Sequence, residues 1–135
     1  MPVRSASRKA IQLTIACEDR PGTLSKLAKL LGEKGVDITA MSCAPVGVQG
    51  YIHLVVDNEK RAKKALAREH ISFTEQEVLE VDLPNLPGCL GAFAEKLAQQ
   101  NINITTAYGS ASKGSRKTRI IFKVSDLQKA AKIRW

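Results

Sequence analysis

Two stretches of the chain, Asp19-Arg20-Pro21-Gly22-Thr23-Leu24 and Asn85-Leu86-Pro87-Gly88-Cys89-Leu90, carry proline, glycine and leucine in the same places. The likeness extends outward from them. Laid on residues 85–108, residues 19–42 bring Ala28 onto Ala94, Leu31 onto Leu97, Ile38 onto Ile104 and Thr39 onto Thr105. The match resumes where Ile52, Leu54 and Val56 meet Ile120, Phe122 and Val124, once a slightly longer loop at 109–118 is allowed for. Self-similarity of this kind marks a duplicated structural unit.

Each unit reads the same way. Ile11, Leu13 and Ile15 alternate with Gln12, Thr14 and Ala16, the period of a half-buried strand. Pro21-Gly22 breaks that strand, and Leu24, Leu27, Ala28 and Leu31 then recur at helical spacing up to a stop at Gly35. Val36–Cys43 predicts a second strand, Pro45–Gly50 a turn and Tyr51–Val56 a third strand. Glu59–Arg68 predicts a helix with a thin apolar face of Ala62, Ala65 and Leu66, and Ile71 and Phe73 mark a fourth strand. In the second unit Leu79, Val81 and Leu83 open the first strand, Leu90, Phe93, Ala94 and Leu97 stripe the helix, and 102–108 and 119–124 are strands. Beyond Asp126 there is room only for a stub helix over Lys129–Lys132 and a clipped strand over Ile133–Trp135.

The predicted fold class is therefore α+β: two tandem ferredoxin-like βαββαβ units with antiparallel sheets and helices on one face, the second C-terminally shortened. Residues 1–10 read as a basic tail, 11–75 as the first unit and 76–135 as the second. The faces turned away from the helices would carry Gln12, Thr14, Thr39, Met41, His53 and Val55, a mixture that fits an exposed sheet face or partial burial by the sister unit or by another copy, and a homodimer is the expected assembly.

Composition limits the function classes. Of 135 residues, 44% are apolar and 25% charged, a globular balance, and 4% aromatic, so the cores must be aliphatic. No apolar run approaches the ~20 residues of a membrane-spanning helix. Cys17, Cys43 and Cys89 have no paired spacing, which argues against a disulfide framework or a zinc site and for a reducing, cytoplasmic setting. The net charge of +8 gathers in residues 1–10, 58–68 and 113–135, with an acidic stretch at Glu69, Glu75, Glu77, Glu80 and Asp82 between them. Such a pattern fits solvated faces or an anionic partner.

The two strand-to-helix turns hold the chemistry. Glycine lets a ligand approach the backbone, and the helix that follows offers unpaired amides and a positive dipole end to a carboxylate. Asp19 and Asn85 are short polar groups able to accept from an ammonium. An α-amino acid would suit these parts, and a plain tight turn would use the same residues.

With Asp19-Arg20-Pro21-Gly22-Thr23-Leu24, a helix ending near Gly35 and Val36-Asp37-Ile38 after it, the first unit resembles an ACT domain. The second, with Leu86-Pro87-Gly88-Cys89-Leu90 and Ile102-Asn103-Ile104, resembles another. The resemblance spans about residues 11–125 and implies a stand-alone pair of regulatory modules that bind amino acids or related small molecules between neighbouring domains. It implies a ligand loop at Asp19, Arg20, Pro21, Gly22, Thr23 and Leu24, and a second at Asn85, Leu86, Gly88, Cys89 and Leu90. Ile38 to Met41 and Ile104 to Ala107 would supply the facing wall. The second loop lacks the charged pair at Asn85-Leu86, which predicts a weaker site.

The implied protein is a sensor without catalysis or cofactor, acting on an enzyme or transcription factor. Neither His53 nor His70 has a context that places it beside Cys89, and no carboxylates form a catalytic pair. The alternative is a nucleic-acid module of the same strand order, for which Gly50-Tyr51-Ile52-His53-Leu54-Val55 offers a faint aromatic strand motif. Gln12-Leu13-Thr14 supplies no aromatic to a stacking platform, so a nucleic-acid partner is not expected.

Overall fold

The computed structural model describes residues 5–134. Its elements are β1 (Ala6–Glu18), α1 (Thr23–Glu33), β2 (Ile38–Val46), β3 (Gln49–Val56), α2 (Glu59–Arg68), β4 (Thr74–Pro84), α3 (Cys89–Gln99), β5 (Ile104–Ser110), β6 (Lys117–Val124) and α4 (Leu127–Ala131). This is an α+β fold that opens with the order βαββαβ. The chain divides into two compact units, one of Ile11–Gln76 and one of residues 1–10 with Glu77–Trp135.

In the unit Ile11–Gln76 the strands run in the order β2-β3-β1, with the start of β4 beyond β1. β1 and β3 are antiparallel with Leu13 opposite Leu54 and Ile15 opposite Ile52, so these side chains share one face. On that face Leu13, Ile15, Ile52 and Leu54 pack against Leu27 and Leu31 of α1 and Ala62, Ala65 and Leu66 of α2. The spacing of those helical residues puts them on one stripe toward the sheet. Asn58 caps α2 by accepting from the Arg61 amide at 3.1 Å, which fixes where that helix begins.

On the opposite face Gln12 is only 2% exposed, and Val55 is buried beside it. The Gln12 amide donates to Thr14 Oγ1 at 3.2 Å and lies 3.1 Å from His53 Nδ1, while the Thr14 hydroxyl donates to Gln76 Oε1 at 2.6 Å. The mixed face read from the sequence is thus partly covered by its own hydrogen-bonded side chains, the condition under which buried amides are tolerated. Thr39 is half-buried and bonds the Val55 carbonyl; Met41 is exposed.

In the other unit Ala6–Ala10 of β1 lie beside β4, and β6 and β5 follow. Leu79, Val81 and Leu83 pack with Phe93, Leu97, Ile120 and Phe122, the two aromatic rings stacked at 5.0 Å between centroids. On the reverse face Arg8 bonds both Glu80 and Asp82, and Arg119 approaches the same carboxylates at 3.6 Å. Glu80 is 9% exposed, and Arg8 and Arg119 give its carboxylate the partners that burial demands.

Several sequence readings need correction. Residues 6–10, read as part of a basic tail, are strand; their polar side chains hid it, and Arg8 finds its counter-charges some seventy residues away. Residues 1–4 lie outside the described residues. Ile71 and Phe73 are not in a strand but pack on the first core from the connection, and the strand begins at Thr74. No turn residue interrupts 74–84, so β4 runs unbroken where two strands were expected. Ile133 and Arg134 form no strand, Trp135 lies outside the described residues, and the stub helix is Leu127–Ala131, capped by Asp126. The place beside β4 that a last strand would take is held by Ala6–Ala10. No helix among the described residues is long and apolar enough to cross a membrane.

Phe122 is 1% exposed, so Phe122→Ala should cost about 3–5 kcal/mol in urea unfolding; a loss under about 1 kcal/mol would contradict the packing described. Burial opposes the charge on Asp82, but the hydrogen bond from Arg8 and the charges of Arg8, Arg119 and Lys117 outweigh it and hold its carboxyl below the usual range. A carboxyl depressed in the folded state contributes stability that is present above its unfolded pKa and lost as pH falls through the folded one. Stability should therefore decline as pH drops below about 4, and Arg8→Ala should flatten that decline. An unchanged slope in the variant would show that the pair is not linked to folding.

Candidate functional site

At the first turn the backbone folds back on the end of β1. The Arg20 amide and the Thr23 hydroxyl both donate to the Glu18 carbonyl at 3.0 Å, and the Thr23 amide reaches the Arg20 carbonyl at 3.4 Å. Gly22 sits at the N-cap of α1 with φ 92°, in the left-handed region, and a Cβ placed there would meet nothing within 4 Å. Glycine is thus required by conformation, at roughly 1–2 kcal/mol for any L side chain, and the space above it is open. No side chain caps α1. The Lys26 amide bonds the Gly22 carbonyl, so the first-turn amides of Leu24 and Ser25 are the ones left for an acceptor from outside.

The second turn repeats this geometry with a difference. Gly88 has φ 87°, caps α3 without a side-chain bond, and again has open space about its Cβ position. Asn85, however, is engaged: its backbone amide donates to the Arg116 carbonyl and its side-chain amide to the Ser115 carbonyl, each at 2.9 Å. Those bonds tie the turn to the loop before β6. Leu86 and Leu90 are exposed and Cys89 half-buried.

A cleft of about 1050 Å³ opens at the first turn, wholly within the unit Ile11–Gln76. One wall is the turn itself, with Glu18, Arg20, Pro21, Gly22 and Thr23. A second is the face of α1 bearing Lys26, Lys29, Leu30 and Glu33, and the third is Glu69–Ser72 after α2. His70 follows the end of α2 with φ 56°, and the Ile71 amide returns to the Leu66 carbonyl at 2.9 Å. This left-handed helix ending swings Ile71 back onto the core and into the cleft. Arg20 pairs with Glu18 at 3.0 Å, both well exposed. Burial pushes the Cys17 thiol above its ordinary pKa, and Cys43 and Asp19 push the same way, so Cys17 stays protonated at the cleft wall.

Of the sequence-predicted site residues, Arg20, Pro21, Gly22 and Thr23 line the cleft. Asp19 and Leu24 belong to the same turn, both exposed, without being among the lining residues. Ile38 and Ile104 are half-buried against the cores of their own units. The α1 residues Lys26, Leu30 and Glu33 were missed, although their spacing places them on one helical face. Glu69–Ser72 gave no sequence signal, because only the folding back after α2 brings them near. Among the described residues no group of three His, Cys, Asp or Glu could hold a metal ion.

Several solved structures share the fold. A protein of Bacteroides thetaiotaomicron superposes with a TM-score of 0.84 at 23% identity, over 92% of this chain and 85% of its own. The ligand-free regulatory subunit of aspartate kinase from Thermus thermophilus superposes with a TM-score of 0.69 at 16% identity, over 96% and 93%. A C-terminal regulatory domain of aspartate kinase from Porphyromonas gingivalis gives 0.58 at 14%, over 93% and 89%. None of the curated proteins matches the chain. The family model of the ACT domain matches residues 11–72, the segment that contains the whole of the cleft.

Proposed function

We propose that this chain is a non-enzymatic regulatory protein that binds an amino acid at the turn between β1 and α1. The observation that carries the reading is the unplugged corner at Gly22, which lines an open cleft at the start of a helix that no side chain caps. The α-carboxylate is held by the Leu24 and Ser25 amides, and the ammonium is held by Asp19 or Glu18. The match to the ACT domain over this segment supports that use, as does the shared fold of aspartate kinase regulatory subunits. Asn85 offers an ammonium no charge, unlike Asp19, and its side-chain amide is tied to the Ser115 carbonyl, so the second turn is the weaker site. The chain works as a homodimer whose ligand favours one arrangement of domains, and it passes that bias to an enzyme or transcription factor. The nucleic-acid alternative lacks a stacking aromatic at Phe122, which is buried against Phe93.

In a thermal-shift panel of the twenty amino acids, a true ligand at 100 times its dissociation constant should add about 2.7 kcal/mol of stability. Gly22→Val should abolish that shift while its circular dichroism stays native; retained binding would exclude the turn. Exposed Cys43 should alkylate faster than Cys17. Saturating ligand should slow Cys17 several-fold and leave Cys43 unchanged, read by peptide mass spectrometry, and an unprotected Cys17 would place the ligand elsewhere.

A further inference from the structure

We infer that the cleft beside Gly22 selects amino acids with a large apolar side chain, of the leucine, isoleucine, methionine or phenylalanine kind. The inference rests on the amino-acid reading above and adds the class. Its basis is the distribution of polar and apolar groups around the cleft. The rim is charged: Arg20, Lys26, Lys29, Glu33 and Glu69 are all exposed. Lys26 and Lys29 have no ion-pair partner among the described residues, which leaves them to favour a carboxylate near the start of α1. The floor is apolar. Cys17, Leu30 and Ile71 present half-buried surface, and Ile15 and Ile52 close it from behind at 3% and 1% exposure.

The floor gives a polar side chain nothing to bond. The Thr23 hydroxyl already donates to the Glu18 carbonyl, and no lining side chain combines burial with a hydrogen-bonding group of its own beyond the Cys17 thiol. A hydroxyl, amide or charged side chain lodged there would give up water without replacement. An apolar one would remove water from Leu30, Ile71 and Cys17 at no such cost. At about 1050 Å³ the cleft also has ample room for a long or branched side chain.

The test is calorimetric titration of the full chain with leucine, isoleucine, methionine and phenylalanine, against serine, aspartate and lysine. At least one of the apolar set should bind about tenfold or more tighter than every polar one. Ile71→Thr should erase the preference, and Leu30→Gln serves the same purpose should the first variant not fold. A polar amino acid bound as tightly as the best apolar one would overturn the selectivity yet leave the amino-acid site standing. A preference that survives both variants would overturn the role of the floor. No binding in these titrations, with no shift from any of the twenty in the thermal-shift panel, would overturn the site reading itself, and this inference with it.

Discussion

A positive φ at Gly22 determines what the turn after β1 can do. In that conformation the chain enters α1 without a side chain at the cap, so the helix begins with amides that nothing in the turn covers. A serine or aspartate cap, which takes the extended conformation instead, would gain α1 only about a few tenths of a kcal/mol over glycine and would close the same amides to a ligand. Keeping glycine there, and again at Gly88, gives up local helix stability in exchange for an approachable backbone. The glycine conformation is the same in both turns; what differs is the use of the residue at the start of each, with Asn85 bonded to the Ser115 carbonyl.

The rest of each unit holds that turn in place. Leu27 and Leu31 anchor α1 on the apolar face of β1 and β3, and the Thr23 hydroxyl ties the first residue of α1 to the last of β1. The left-handed ending at His70 turns the chain after α2 back toward α1, and Ile71 follows it into the cleft. The site is therefore built from one strand end, one helix face and one helix ending, each fixed by core contacts.

Much of this was legible in the sequence where local rules govern. The alternation of Ile11, Leu13 and Ile15, the stripe of α1, the bounds of α2 and the two Pro-Gly turns all follow from period and punctuation. Elsewhere long-range partners override local pattern. Arg8 and Lys9 look like a solvated tail, yet the stretch is strand beside β4, and Arg8 finds its counter-charges there in Glu80 and Asp82. Ile71 and Phe73 alternate like a strand, yet the backbone reversal at His70 commits them to the core as irregular chain. The turn was found because its residues are contiguous; the far wall of the cleft was not, because Glu69–Ser72 join it only through the fold.

The most direct measurement is an amide-resolved nuclear magnetic resonance titration of the full chain, with leucine and separately with a mixture of the remaining standard amino acids. Binding at the uncapped helix start predicts the largest shift changes at Gly22, Leu24 and Ser25, with smaller ones at Cys17 and Ile71. Saturating changes centred elsewhere, or amides of 22–25 that stay still throughout, would contradict it.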